Sequence, residues 1–178
     1  MANILREGER LCLRQAEEQD LDYIMELTHA PENKPFIVPF DREMHEKAIA
    51  NPTETMDIIV ERKEDGARVG YFYVHGLKSE AKEIEWTHVI MGVKGQGYGH
   101  EAMKLIKAWS FLDKGFHRAW LDCKDYNERA LHLYESEGMI REGLIRETLL
   151  TDGRYENLVI LGMLDREYMV RRAEGLEI

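Results

Sequence analysis

The chain has 178 residues, 44% of them hydrophobic, which suits one globular domain, residues 1–178, around a single core. Its formal net charge of −10 argues against a general nucleic-acid binder, which needs a clustered basic surface, and permits a cationic substrate. No run of about 18 apolar residues occurs, and charges interrupt Met1–Arg10 where a signal peptide needs an apolar stretch, so a soluble, cytoplasmic protein without membrane contact is expected. Cys12 and Cys123 lie in separate strand-like runs and fit reduced, packed thiols.

Arg10–Gln15 alternates polar and apolar as a half-buried strand does, and Glu17-Glu18-Gln19-Asp20 opens a helix carrying Leu21, Ile24, Met25 and Thr28 at helical spacing. Pro31, Pro35 and Pro39 make 30–40 a surface loop, followed by a short helix over 41–50. Met56–Arg62 and Val69–His75 are strands joined by a turn containing Asp65-Gly66, and Glu83–Met91 is a third. Their short connections make these three antiparallel. A helix follows over 99–112, with Ala102, Leu105, Ile106, Trp109 and Leu112 on one stripe and His100, Glu101, Lys104 and Lys107 off it. His117–Cys123 returns as a strand, parallel to Glu83–Met91 by the usual right-handed crossover. Asn127 can cap a helix over 128–137 that Gly138 ends, and strands 144–150 and 155–163 meet at the hairpin turn Asp152-Gly153, before a charged tail able to form a short helix.

Between the third strand and the helix after it stands Lys94-Gly95-Gln96-Gly97-Tyr98-Gly99-His100. Glycines at every second position free backbone N–H groups to close around an anion at a helix N-terminus. A Walker loop would need Lys then Ser or Thr after its last glycine, where His100 and Glu101 stand, and a dinucleotide fingerprint would need glycine at position 100 and a βαβ start to the domain. The remaining design wraps a pyrophosphate while the preceding strand holds an extended ligand arm.

On these residues the chain resembles the GNAT superfamily of N-acetyltransferases. Lys94-x-x-Gly97-x-Gly99 is similar to its acyl-CoA loop, with lysine where arginine or glutamine is usual. Asn127, Ala130, Leu133-Tyr134-Glu135 and Gly138-Met139 are similar to the family's pattern on the helix after the parallel strand, with Met139 in place of the usual phenylalanine. Glu142-Gly143 and Asp152-Gly153-Arg154-Tyr155 resemble the closing hairpin of a branch that includes bacterial spermidine N-acetyltransferases and enzymes acetylating ribosomal-protein N-termini. The order of elements matches from about Arg10 to about Leu164. The implied fold is α/β (α+β), a mixed, mostly antiparallel sheet of about seven strands flanked by about four helices.

The resemblance implies acetyl-CoA as co-substrate, held by Val89, Ile90 and Met91 on the strand, by Lys94, Gly95, Gln96, Gly97, Tyr98 and Gly99 in the loop, and by Asn127 and Arg129 on the later helix. An alkylammonium of pKa about 10 costs roughly 4 kcal/mol to deprotonate at pH 7. Glu85, aligned with a glutamate frequent on this strand, is the implied general base through water, with ordering of the substrate ammonium as the other role open to it. Tyr134 is implied as the acid that protonates the leaving thiolate, and a backbone N–H near Val89–Met91 meets the oxyanion. In a regular strand His88 faces away from Glu85, and only a bulge would turn it into the cleft. No metal is expected, because His100-Glu101 lacks a second histidine at position 104. Cys123 has no sequence-visible base, so direct transfer is preferred to a covalent relay.

The acidic balance and the closing hairpin favour a polyamine or another small cationic amine as acceptor, with Glu32, Asp41, Glu43 and Glu46 around the first helices either contacting it or forming a solvated face. A peptide N-terminus and a non-catalytic acyl-CoA sensor are the rivals. Dimers are common in the resembling branch, which leaves a homodimer open.

Overall fold

The strand after Arg10 has a partner that the charged N-terminal sequence concealed: Ile4–Glu7 (β1) pairs antiparallel with Leu11–Gln15 (β2). The computed structural model, which describes residues 3–178, continues through a 3₁₀ turn at Glu18–Asp20, α1 (Leu21–His29), α2 (Arg42–Ala50), β3 (Thr55–Arg62), β4 (Arg68–His75) and β5 (Glu83–Met91). Next come α3 (Tyr98–Ala108), a π-helical turn at Trp109–Asp113, β6 (Arg118–Lys124), α4 (Glu128–Ser136), β7 (Ile140–Thr151), β8 (Arg154–Leu164) and α5 (Asp165–Ala173). Eight strands form one sheet in the order β1-β2-β3-β4-β5-β6-β8-β7. It is mixed and mostly antiparallel, as expected, with β5 and β6 parallel. The strand β1 and the tail helix α5 raise the totals to eight strands and five helices.

Local chemistry accounts for most boundaries. The β3–β4 turn uses Gly66 at φ +71°, and the β7–β8 turn places Asp152 and Gly153 at φ +48° and +78°, the paired positive angles of a tight hairpin. The Asp41 carboxylate accepts the Met44 N–H at 2.9 Å to start α2, and Asn127 Oδ1 accepts the Ala130 N–H at 3.3 Å to start α4.

The sheet is buried on both faces by strand alternation. Ile58, Val60, Phe72, Val74, Ile84 and Trp86 pack against Leu105, Ile106, Trp109, Leu131 and Tyr168 of the α3, α4 and α5 layer. Ile59, Tyr71, Tyr73 and Ile90 pack against Ile24, Leu27 and Ala48 of α1 and α2. Trp86 and Ile90 would share a face in a regular strand, yet they lie in opposite layers. The cause is a bulge: Tyr73 pairs with His88 and Val74 with Trp86, leaving Thr87 without an opposite residue. The regular-strand expectation for His88 is corrected accordingly, since the extra residue puts His88 on the same face as Glu85.

Lys107, expected off the buried stripe of α3, is 0% exposed. Its ammonium donates to the Glu137 carbonyl at 2.8 Å and to Glu137 Oε2 at 2.9 Å, just past the end of α4. Glu177 Oε1 accepts from it at 2.5 Å as well, and a charge can be buried there because its donors are taken up by two carboxylates and a carbonyl. The pair fixes the angle between α3 and α4, and with it the position of Tyr134.

Candidate active site

The site begins where two strands part. β5 and β6 pair from Glu83–Arg118 to Glu85–Trp120 and no further, while β6 stays in register with β8 as far as Lys124. The bulge at Thr87 turns β5 away just beyond the last pair, and a cavity of about 730 Å³ runs through the opening. Gly92 N–H donates to Val69 of β4 at 2.9 Å, so strand alternation aims the Val89 and Met91 amides away from β4 and toward the gap. Val89, Ile90 and Met91 all line the cavity.

At one mouth stands the glycine loop. Gly95 and Gly97 hold φ +78° and +75°, the left-handed region where a Cβ is costly. Gly97 is the N-cap of α3 and no side chain caps it, which leaves first-turn amides of the helix free for an anion. A Cβ at Gly99 would come within 3.3 Å of Leu133, so this glycine lets α3 meet α4 closely. Lys94, Gly95, Gly97, Tyr98, Gly99, Asn127 and Arg129 line the cavity, whereas Gln96 does not. The Lys94 ammonium donates to Asn33 Oδ1 at 3.4 Å.

Arg10, which sequence reasoning passed over as the start of a strand, fastens this loop. It donates to Glu101 from its backbone N–H at 2.7 Å and from Nε at 2.9 Å, and from Nη1 to the Gln96 carbonyl at 3.0 Å. Its guanidinium lies 5.0 Å from the centre of the Tyr98 ring. Only opposite charge could have hinted at a partnership between residues so far apart in sequence.

Tyr134 lines the cavity from the α3/α4 face, and burial pushes its phenol well above the ordinary value, so it stays protonated. Beside it burial pushes the Cys123 thiol up to about 12, which keeps it from acting as a thiolate. Glu85 projects on the α1/α2 face but does not line the cavity; burial and then the charge of Asp122 raise its carboxyl above the ordinary value, and His75 Nδ1 lies 3.8 Å away. Asp122, which does line the cavity, was missed as a site residue.

The segment 30–40 runs over the cavity, meeting Lys94 through Asn33 near one end and His88 through Phe40 at the other. Lys124 Nζ and Tyr126 OH both donate to the Pro35 carbonyl, at 2.9 and 2.7 Å, and Lys124 also pairs with Glu156 at 2.6 Å. The Phe40 ring stacks on His88 at 4.4 Å. Phe36, Ile37, Val38, Phe40, Leu149 and Leu158 give the cavity apolar walls here, with Glu32 among its lining residues. Of the other candidate acceptor carboxylates, Asp41 caps α2, Glu43 pairs with Lys47 at 2.6 Å, and neither they nor Glu46 line the cavity. Among the described residues no group of three His, Cys, Asp or Glu is placed to hold a metal ion, and no helix is long and apolar enough to cross a membrane.

A sheet opened between two parallel strands, with free helix amides, Lys94 and Arg129 and the carboxylates of Glu32 and Asp122 lining one cavity, suits binding of an anionic and a cationic group side by side. A family model described as Acetyltransferase (GNAT) domain matches residues 10–140, and the chain belongs to this acetyltransferase family. A spermidine N(1)-acetyltransferase of Vibrio cholerae serotype O1 is 29% identical over 100 residues, spanning 52% of this chain and 58% of that protein. Its counterpart from Escherichia coli K12 is 22% identical over 165 residues, 88% of this chain and 87% of that one. The crystal structure of spermidine N-acetyltransferase from Vibrio cholerae in complex with CoA and spermine superposes with a TM-score of 0.81 at 22% identity, covering 91% of this chain and 99% of that chain, a likeness of fold.

Proposed function

We propose that residues 1–178 form one N-acetyltransferase domain that moves acetyl from acetyl-CoA directly to a primary amine, with a polyamine or another small cationic amine as acceptor. The observation that carries this reading is the opening between β5 and β6, whose cavity is lined by the glycine loop, Lys94 and Arg129 together with the carboxylates of Glu32 and Asp122. The loop amides and cations suit an anion, and the carboxylates suit an alkylammonium. The relatives act on spermidine, as their names state, which supports the same class of acceptor. The segment 30–40, held at Pro35 and Val38, narrows the cavity and favours a small amine over a peptide N-terminus.

The residues present fit acetyl-CoA. Its pyrophosphate would take the amides at Tyr98 and Gly99 with Lys94 and Arg129 near it, and Val89 and Met91 would offer N–H groups in the gap. When bound, acetyl-CoA supplies an acetyl thioester. Within the chain, an N–H in the gap meets the developing oxyanion, and Tyr134 gives its proton to the departing sulfur. A carboxylate beside the gap takes up the acceptor's proton, directly or through water. The raised Cys123 thiol supports direct transfer without an acyl-enzyme step.

Two buried free thiols suit a reducing cytoplasm. The edge strand β7 exposes Ile140, Leu144, Ile145 and Leu150, which supports a homodimer through that edge. The test of the activity is release of CoA thiol from acetyl-CoA across spermidine, spermine, aminoglycosides and ribosomal-protein N-terminal peptides. Turnover on the polyamines is expected. Turnover on the peptides alone overturns the acceptor, and acetyl-CoA binding with no turnover on any of them favours a sensor.

A further inference from the structure

The carboxylate nearest the reaction is not the one that sequence reasoning selects. Extending the β5–β6 register by two residues from Glu85–Trp120 sets Asp122 opposite Thr87, at the point where the strands have just parted. Strand alternation puts Asp122 on the face of Trp120, which is also the face of Glu85, and opposite to Leu121 and Cys123 in the α3/α4 core. Asp122 lines the cavity; Glu85 does not. The Asp122 carboxylate receives no hydrogen bond or counter-charge among the described residues. Lys124, next on the same face, has its ammonium engaged by Glu156 and the Pro35 carbonyl. Asp122 is exposed to the solvent of the cavity, so its carboxylate is free to meet a cation that enters there.

From this we infer that Asp122 is the catalytic carboxylate: it binds the acceptor ammonium at the gap between β5 and β6 and takes its first proton. This rests on the amine-acetyltransferase reading above and assigns the acceptor end of that site. Tyr134 lies across the sheet opening, so acid and base work from opposite faces through one gap. The step balances as follows. The ammonium N–H bond breaks and an O–H bond forms on Asp122, which releases that proton to solvent. The freed nitrogen lone pair forms the C–N bond to the acetyl carbon while the C–S bond breaks, and Tyr134 protonates the sulfur. The nitrogen's second proton restores the tyrosine phenol through solvent. Ammonium and thioester become amide, thiol and one proton.

The charge of Asp122 bears on three groups that face it: Glu85 from β5, Tyr134 from α4 and Cys123 beside it on β6. Although Asp122 is exposed to the cavity, partial desolvation by the surrounding walls raises its carboxyl, and its charge in turn raises that of Glu85. Both effects place the acid limb of amine kcat/KM above the ordinary carboxylate range.

Asp122→Asn is the test, with Glu85→Gln beside it and spermidine as the probe amine. Calorimetry of spermidine binding without acetyl-CoA is expected to show about a 10- to 100-fold loss in Asp122→Asn, the size of a charge-assisted hydrogen bond. Amine kcat/KM is expected to fall by about 100-fold, with acetyl-CoA affinity unchanged. The residual acid limb moves to lower pH, because Glu85 no longer faces a second negative charge. Asp122→Asn with wild-type spermidine affinity, or with an unmoved acid limb and full kcat/KM, overturns the assignment, as does a larger affinity loss in Glu85→Gln. The two readings fail separately: wild-type turnover decides the activity, and the ratio of variant to wild-type binding decides Asp122.

Discussion

His88 Nε2 donates to the Val38 carbonyl at 3.0 Å, so the ring that follows the β5 bulge holds the segment 30–40 over the cavity. A carbonyl can only accept, which fixes the proton on Nε2 and leaves Nδ1 to accept the Tyr71 hydroxyl. Both ring nitrogens are therefore committed and His88 is a positioning residue.

That commitment has a pH signature. Burial lowers the His88 pKa from 6.5 to about 4. Between those values the unfolded chain binds a proton that the folded one refuses, so stability is full above pH 6.5 and falls as pH drops toward 4, by about 3 kcal/mol at the limit. Urea unfolding at pH 7 and pH 5 should show this loss in the wild type. His88→Phe should start about 1–3 kcal/mol lower at pH 7, from two orphaned partners, and show a flatter dependence.

Tyr134→Phe removes one hydroxyl from a packed ring. It should lower kcat by about 100-fold while acetyl-CoA affinity, read by calorimetry, barely moves. Equal losses in both would place the hydroxyl in donor binding and remove its role as acid.

Gly97→Val puts a β-branched side chain at φ +75° on the N-cap of α3. Space is not the obstacle, since the nearest atom to a Cβ is Arg10 Nη2 at 3.5 Å. The backbone strain, at least about 1–2 kcal/mol, moves the amides that face the anion. Acetyl-CoA binding should be lost, with circular dichroism unchanged and the melting temperature lower by only about 2–8 °C.

Arg10→Ala should raise the KM for acetyl-CoA more than it lowers kcat, because Arg10 fastens Gln96 and Glu101 without lining the cavity. Its side chain is 48% exposed, so the ion pair itself adds under about 1 kcal/mol to stability and the melting temperature should hold. A fall in melting temperature equal to the loss of affinity would make Arg10 a structural residue only.

Much of this molecule is legible in local sequence because local forces decide it. The alternation in Glu83–Met91, the cap at Asn127, and the turns at Asp65-Gly66 and Asp152-Gly153 each depend on residues within a few positions of one another, and all appear where expected. The glycine loop and the pattern from Asn127 to Glu135 likewise announce the family and the donor end of the cavity. The strand β1 escaped notice because four residues, two of them charged, carry too little alternation to be read without their partner.

What only the tertiary structure decided lies where distant segments meet. No pattern within β5 shows that Thr87 is the extra residue, because a bulge is defined by the register with β4, and that register determines whether His88 and Glu85 share a face. The same holds for Arg10 with Glu101, Lys107 with Glu137, and Asp122 with the cavity. The sequence by itself determined which backbone conformations were available and which chemistry could occur. The packing of non-local segments determined which charges found partners, and so which carboxylate was left unpaired at the gap.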